Sequence, residues 1–402
     1  MTKKQSINKN KHLEKTASIA SVLILILFWY LGGLQTDTSQ TQLLQSLRSK
    51  QETIIEESPD LFKIVKNQAS GVTAIKWLSF GSGLGYGGTL QVAVELLSDG
   101  TLNAVHLLSS KETAPYLAKV VEEKLPQTLL GQNASTSFSH DGVTGATLTS
   151  NAYIQAVNSA ADPVRKQLYG YKLVKTPSIW QRFKWLDITA VILFIAAVGL
   201  SRSKTRYKAK LNSALLGLST LLFGIYSASL YTVSTIGGLI SGAWITGVAS
   251  YSPFILLALS MGYILYYNRN LYCQSLCPFG AVQQCLATIG NAKSSPVRYQ
   301  FFIWFPRALL LVTLCMGMYF RSPASFIYEP FGIAFGMIGS IYLFVLTILI
   351  VLTSLVVRRP WCQSLCPINA MTDFIVFNKS WIKQTHRQLI KRRQNIQNTK
   401  EL

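Results

Sequence analysis

Four of the six cysteines stand in two copies of one phrase: Tyr-Cys-Gln-Ser-Leu-Cys-Pro ends at Pro278, and Trp-Cys-Gln-Ser-Leu-Cys-Pro ends at Pro367. The copies are offset by 89 residues and supply Cys273, Cys277, Cys362 and Cys366. Thiolates are soft ligands, suited to zinc or to iron–sulfur clusters. One Cys-x3-Cys pair half-fills a four-ligand site, and two pairs complete it. Cysteines four apart can share a helical face or flank a tight turn. The proline after each second cysteine can open a helix, where its missing N–H is no loss, and a helix N-terminus favours thiolate charge. The residues alone leave three readings open: separate buried thiols, a structural zinc, or one shared cubane cluster. Zinc sites use shorter spacings. Cys-Pro ends a bacterial cluster-binding run, although the Cys-x2-Cys-x2-Cys part of that run is missing here. Cys285 is a candidate spare ligand, and Cys315, inside an apolar run, reads as packing.

A second chemical stretch is Asp-Gly-Val-Thr-Gly-Ala-Thr-Leu-Thr-Ser at 141–150, which sets Thr144, Thr147, Thr149 and Ser150 beside glycines. Such a loop suits phosphate. A hydroxyl-capped helix start is the plainer alternative, with an amphipathic helix expected from about Ser150. Around the loop, residues 38–184 read as a compact α+β domain. The polar opening through Phe62 looks helical. A hairpin at 83–110 turns at Asp99–Gly100, and a helix follows near 116–126.

The elements that must position these residues are mostly apolar. The 402-residue chain is 49% hydrophobic and 14% charged, with mean hydropathy +0.29, whereas soluble domains carry about 25% charged residues. Apolar runs at 17–34, 186–200, 211–233, 251–267, 301–320 and 333–357 predict about six spans. The first could be a secretory signal, but no clean small-residue cleavage site follows, which favours a retained anchor. The Gly-rich stretch 234–250 reads as a re-entrant segment, an external loop or a partial span. The net charge of +21 gathers at 1–16, 201–210 and 358–402, while 38–184 is nearly balanced. By the positive-inside rule both termini are then cytoplasmic and 38–184 is external. The charge thus reports topology and attraction to anionic lipid, and nucleic acid is not an expected partner. Each cysteine phrase follows a span and is expected at its cytoplasmic mouth. The fold expected is an α-helical polytopic membrane protein with a pseudo-twofold repeat carrying the Cys-x3-Cys-Pro motifs and an inserted extracytoplasmic α+β domain. Its parts are 1–37 (cytoplasmic N-terminus and anchor), 38–184, 185–380 (five membrane helices) and 381–402 (basic cytoplasmic tail).

The 141–150 loop resembles the flavinylation motif of the FMN-binding domains in Rnf and Na⁺-pumping quinone reductase subunits and in NosR-type proteins. The resemblance implies FMN joined through its phosphate to Thr147 by a flavin transferase. Asp141, Gly145 and Ala146 match the recognised pattern, and Thr144 stands within it as a further cofactor-binding candidate. Gly-Tyr-Gly-Gly-Thr-Leu at 85–90, Ser-Asp-Gly at 98–100 and Ser-Lys-Glu-Thr-Ala-Pro-Tyr at 110–116 are similar to the same domain's strand start, strand turn and flavin-side Glu-Thr-Pro region. They add Glu112 and Thr113, although Ala114 separates Thr113 from Pro115. The part from about 185 to 380 is similar to the five-helix domain of NosR/NirI and NapH-like proteins, whose paired Cys-x3-Cys-Pro motifs match Cys273, Cys277, Cys362 and Cys366. Tyr-Glu-Pro-Phe-Gly at 328–332 is shared as well. NosR proper adds a ferredoxin domain with two clusters, where this chain runs into a basic tail.

The resemblance therefore implies an electron-transfer component or oxidoreductase of a bacterial inner membrane. One 4Fe–4S cluster would sit on the cytoplasmic side, covalent FMN on the other, and a quinone is a further candidate for bridging roughly 30 Å of hydrocarbon. Expected partners are the flavin transferase, a cytoplasmic ferredoxin-like or dehydrogenase donor, an extracytoplasmic acceptor, membrane lipid and, as a homodimer, a second copy. The alternative is a redox-dependent regulator or maturation factor for an extracytoplasmic reductase. No catalytic residue is assigned.

Overall fold

The computed structural model describes residues 3–34, 39–48, 53–58, 61–67, 73–85, 87–173, 183–227, 230–242, 250–292, 301–337 and 339–400. Helix α1 (Lys3–Leu34) leads through α2 (Ser39–Arg48) into five strands: β1 (Thr53–Ser58), β2 (Leu61–Asn67), β3 (Thr73–Leu84), β4 (Thr89–Leu97) and β5 (Leu102–Ser110). They form one antiparallel sheet in sequence order. The expected hairpin is β4–β5, turned at Asp99–Gly100, where Gly100 has φ +84° and its N–H donates to Leu97 O at 2.9 Å. The opening stretch expected as helix is only partly so. Its end, Thr-Ile-Ile-Glu-Glu-Ser, is strand β1, because β-branched residues favour a pleated surface over a helix.

Next come α3 (Ala114–Glu122), α4 (Leu125–Thr128) and α5 (Thr147–Tyr169), which begins at Thr147, ahead of the expected Ser150. Helix α5 lies on β3 because Gly81 and Gly83 carry no side chain. A β-carbon there would strike the α5 backbone at Ala156, Ala160 and Ala152. The two-residue strand period sends Leu90, Val92, Val94 and Leu96 into a core with Tyr153, Ala156 and Val157 of α5. Ala93, Leu78 and Phe80 point to the opposite face, against Leu43 and Leu44 of α2.

The remainder is helical: α6 (Trp185–Arg202), α7 (Lys208–Ser219) with a π-helical continuation (Thr220–Tyr226), α8 (Val233–Ser241), α9 (Ser252–Tyr267), α10 (Leu271–Ser275), α11 (Pro278–Ile289) and α12 (Phe301–Tyr319). After a 3₁₀ turn (Pro323–Phe326) come α13 (Phe331–Gly336), α14 (Ile341–Ser354), α15 (Pro360–Ser364) and α16 (Pro367–Lys400). On α6, Ile188, Ile192 and Ile195 are each about 60% exposed, while Ala190, Leu193, Phe194 and Ala197 are buried. Apolar residues on both faces mark a helix made for lipid rather than water.

Among the described residues four helices are long and apolar enough to cross a membrane: His12–Leu34, Trp185–Arg202, Lys208–Tyr226 and Phe301–Tyr319. These helices make the chain a membrane protein. Two further apolar helices, α9 and α14, are shorter, so the structure supports four such spans where the sequence suggested six. The expected run at 333–357 breaks because Met337 adopts φ +54° after Gly336, ending α13 before α14 begins. The run at 211–233 stops at Tyr226. Part of the Gly-rich stretch forms α8, and its residues 243–249 lie outside the described residues.

The sheet domain touches the helical part. A β-carbon on Gly87, beside Lys111 and Glu112, would lie 2.7 Å from Ala324 Cβ in the 3₁₀ turn. One on Gly336 of α13 would lie 3.5 Å from Tyr116 Oη of α3.

Candidate cofactor sites

The 141–150 loop is held from behind. Arg165 of α5, fully buried, donates through Nε to Ala134 O at 2.7 Å, through NH2 to Thr136 O at 3.0 Å and through NH1 to Asp162 at 3.0 Å. Asn158 brackets Phe138, accepting its N–H at 2.9 Å and donating to its carbonyl at 2.8 Å. Ser150 Oγ accepts from Val143 N at 3.1 Å and donates to Ala146 O at 2.9 Å. These clamps fix the entry into α5 and leave its first residue free: Thr147 is exposed, as are Asp141, Thr144 and Gly145, while Ala146 is the buried N-cap. Gly145 has φ +83°, a conformation glycine adopts without strain.

Buried Glu112 is brought to this helix start, where its Oε2 accepts from Thr149 Oγ1 at 3.1 Å. Gly85 makes room for that carboxylate, since a β-carbon there would overlap Glu112 Oε1. Thr113 is buried at the N-cap of α3. A 23-residue helix with no acidic side chain in its first turn presents free N–H groups and a positive dipole end to an anion. An exposed hydroxyl at that turn fits a phosphate-linked group.

The two cysteine phrases fold alike. Cys273 lies in five-residue α10 and Cys362 in five-residue α15. Each short helix breaks at the leucine, Leu276 (φ −132°, ψ −11°) and Leu365 (φ −130°, ψ −11°). The next amide, Cys277 or Cys366, donates back to Tyr272 O at 2.8 Å or Trp361 O at 3.0 Å. Cys277 caps α11, its Sγ accepting from Gly280 N at 3.4 Å. Cys366 precedes Pro367 of α16 in the same way.

Both phrases turn back toward the bundle after the preceding helices. Left-handed residues make the reversals: Asn268 (φ 58°) and Arg359 (φ 52°). Asn270 then accepts at Oδ1 from Ser260 Oγ, midway along α9, at 3.2 Å. Ser219 of α7 donates to Leu276 O at 2.6 Å. A β-carbon on Gly224 would lie 3.3 Å from Pro278 Cβ. The rings of Tyr231 and Tyr272 lie 5.1 Å apart, and Tyr328 donates to Leu365 O at 3.3 Å. The thiol layer thus sits in the core of the helical bundle.

The copies clasp each other reciprocally. Gln283 of α11 accepts from Trp361 N at 3.1 Å and its Nε2 lies 3.6 Å from Cys362 Sγ. Arg359 donates to Cys273 O at 3.1 Å and also bonds Gln284. From the other side, Asn270 donates to Thr372 Oγ1 at 2.9 Å. Asn270 and Arg359, and likewise Gln283 and Thr372, are equivalent positions at the 89-residue offset.

Cys277 and Cys366 are 7% exposed, and Cys273 and Cys362 are half-buried. Burial pushes all four thiols up, Cys362 to about 12, and neighbouring thiolates of the same set push Cys273, Cys362 and Cys366 further. The Arg359 guanidinium opposes this at Cys273, Cys277 and Cys362. Bare thiolates are costly here, whereas a bound iron–sulfur core inverts that logic by supplying positive charge. Among the described residues no three or more His, Cys, Asp or Glu side chains close into a single-ion site. The four thiols are electrostatic neighbours of one another. Cys285 is exposed and Cys315 buried.

The clamping residues Arg165, Asn158, Gln283 and Asn270 escaped sequence reasoning. A polar residue inside an otherwise apolar helix, as Gln283 is, was the one available signal.

A cavity adjoins the thiols of the second phrase, and a larger one lies next to it. One, of about 90 Å³, is lined by Cys362, Gln363, Ser364, Cys366 and Asn369. The other, of about 430 Å³ between α1, α8, α9, α12 and α16, is apolar and shares Ala370 and Asp373 with the first.

Comparison with known proteins finds two domain families in the chain. The FMN-binding domain family matches residues 85–162, and the 4Fe-4S binding domain family matches twice, at 249–296 and 339–394. Protein NirI of Paracoccus denitrificans is 26% identical over 261 residues, 56% of this chain and 37% of that protein. Regulatory protein NosR of Pseudomonas aeruginosa is 24% identical over 201 residues, 45% of this chain and 28% of that protein. The chain thus spans well under half the length of these relatives, and no solved structure matches it. Two domain matches in this order, together with both relatives, make the chain similar to NosR/NirI-type FMN and iron–sulfur membrane proteins.

Proposed function

We propose that the protein carries electrons across a bacterial inner membrane between a 4Fe–4S cluster held by Cys273, Cys277, Cys362 and Cys366 and an FMN linked through its phosphate to Thr147. When bound, the cluster exchanges single electrons and the flavin one or two; the chain's task is to hold and tune them. The observation that carries this reading is the meeting of four thiols from two distant phrases in one buried layer. The reciprocal contacts of Gln283, Arg359 and Asn270 support reading the phrases as halves of a pseudo-twofold repeat. Arg359 and the N–H···S bonds from Gly280 and Gln283 would stabilise negative charge at that layer. At the other end the clamped start of α5 would orient the phosphate, with Asp141, Thr144, Gly145 and Ala146 read by the transferase and Glu112 and Thr113 near the bound group.

The sites need not face each other across a full bilayer. Tyr328 touches the second cysteine phrase, and Ala324, four residues earlier, lies against the flavin domain at Gly87. The segment between them is therefore the short way through. A multi-pass topology with cytoplasmic termini and the flavin domain outside follows from the charge distribution. The donor is a cytoplasmic ferredoxin-like protein, a dehydrogenase or the quinone pool, and the acceptor is extracytoplasmic.

A second reading is favoured by one relative, a regulatory protein: redox state at either site would control or mature an external reductase. Proteoliposomes separate the two. Flavinylated protein is inserted around a trapped electron acceptor, and a membrane-impermeant reductant is added outside. Reduction of the trapped acceptor that is lost in both Thr147→Ala and Cys366→Ser supports a conduit. Reduction indifferent to both substitutions rejects it.

A further inference from the structure

The larger cavity has the lining of a site for an amphipathic ligand. Its walls include Leu25 of α1, Leu257 of α9, Leu311 and Leu314 of α12 and Phe374 of α16, and its volume of about 430 Å³ falls in the range of small-molecule pockets. Polar groups gather at one part of the lining: Glu14, Ser18, Arg307 and Asp373. Arg307 pairs with Glu14 at 3.5 Å and with Asp373 at 3.7 Å, and its guanidinium lies 5.4 Å from the Trp304 ring centroid. These contacts leave Arg307 Nε buried with no hydrogen-bond partner among the described residues. The rest of the Arg307 side chain is about a quarter exposed and lines the cavity, so the guanidinium can still donate to an acceptor placed there. Beyond Ala370 and Asp373, shared by both cavities, the lining passes to Cys362 and Cys366.

We propose that this cavity binds a lipid-soluble quinone, its tail among the leucines of α1 and α12 and a ring carbonyl accepting from the Arg307 guanidinium near the Cys366 layer. The inference rests on the electron-transfer reading above and gives the quinone-pool partner an address. The chemistry argues for this occupant. The ligand must be largely apolar, must enter from lipid, must present an acceptor rather than an anion to an arginine already facing two carboxylates, and gains by standing near a thiolate centre. A phospholipid satisfies the apolar demand, but its phosphate would stand beside Glu14 and Asp373.

The test uses full-length protein in nanodiscs made with phosphatidylcholine alone and with added phosphatidylglycerol. Tritiated decylubiquinone binding is measured by flow dialysis, and an azido-quinone analogue maps the site by peptide mass spectrometry. Saturable binding is expected in both lipids, with labelled peptides from α12 and α16. Arg307→Gln should weaken binding about tenfold or more, as expected for loss of one charge-assisted hydrogen bond. Ala308→Trp, on an exposed part of the cavity wall, should abolish it by filling the space. Labelling elsewhere, binding unchanged in both variants, or displacement by phosphatidylglycerol would overturn the proposal, the last assigning the cavity to lipid. Iron is assayed on each sample: protein with its cluster but no quinone site rejects this inference alone, and protein without iron rejects the reading beneath it.

Discussion

The flavin loop and the thiol layer are built in opposite ways. The loop is one continuous stretch of ten residues, clamped from behind and open to solvent at Thr147. The thiol layer takes two residues from each of two segments 89 apart, buries them, and ties the segments together by Gln283, Arg359 and Asn270. An enzyme that attaches a group covalently needs an exposed, locally defined target. A thiolate-bound core instead needs converging ligands and exclusion of water, which only tertiary folding supplies.

That contrast predicts how each site fails. The largest effect is expected at the cysteines. Replacing any one of Cys273, Cys277, Cys362 or Cys366 with serine should remove the visible cluster absorbance while leaving in-gel flavin fluorescence intact. Thr147→Ala should do the reverse, abolishing covalent flavin and sparing the cluster. Loss of both signals in either variant would break the separation between the sites. A smaller but still severe effect is expected for Arg165→Ala. Taking the guanidinium away from Asp162 and from the Ala134, Thr136 and Asn158 carbonyls should destabilise the sheet domain by about 3–5 kcal/mol, read as a fall in its urea midpoint and in the yield of flavinylated protein.

A subtler test concerns tuning. Gln283→Leu removes a donor facing Cys362 Sγ, and such hydrogen bonds help set cluster potentials. Its cluster should assemble with a more negative midpoint in a spectroelectrochemical titration, and an unchanged midpoint would deny Gln283 that role. The smallest effect belongs to the sheet. Glu95 is held below its ordinary value, first by its hydrogen bond to His106 at 2.9 Å and further by Lys76, against burial. A depressed carboxyl stabilises the fold above its unfolded value, near 4.5, and that contribution is lost as pH falls through the folded value. Glu95→Gln should therefore flatten the acid limb of domain stability and change little at neutral pH.

The same contrast explains what the sequence disclosed. The flavin loop and its candidates were legible because the motif is contiguous. The β4–β5 hairpin announced itself through Asp99–Gly100. The cysteine candidates were visible in the sequence because duplication made them stand out. Their depth was not, since helix order alone sets Cys273 and Cys362 at the ends of α9 and α14. Only the left-handed reversals at Asn268 and Arg359, unremarkable residues in sequence, turn the phrases back, the first of them along α7. Strand β1 was hidden by a polar composition that suits helix and edge strand equally. Among the described residues α9 and α14 are shorter apolar helices, and the run at 333–357 contains a break at Met337 that hydropathy windows read through. Arg307 gave no sign of its role, because a buried guanidinium N–H without a partner exists only once α1, α12 and α16 have packed.

The central claim is that one iron–sulfur core bridges both cysteine phrases. Iron, acid-labile sulfide and zinc measured together on anaerobically purified full-length protein test it most directly. Equal iron and sulfide, about four of each per chain as a single cubane requires, with negligible zinc, is the predicted result. One zinc per chain, or no metal at all in folded, flavinylated protein, would contradict it.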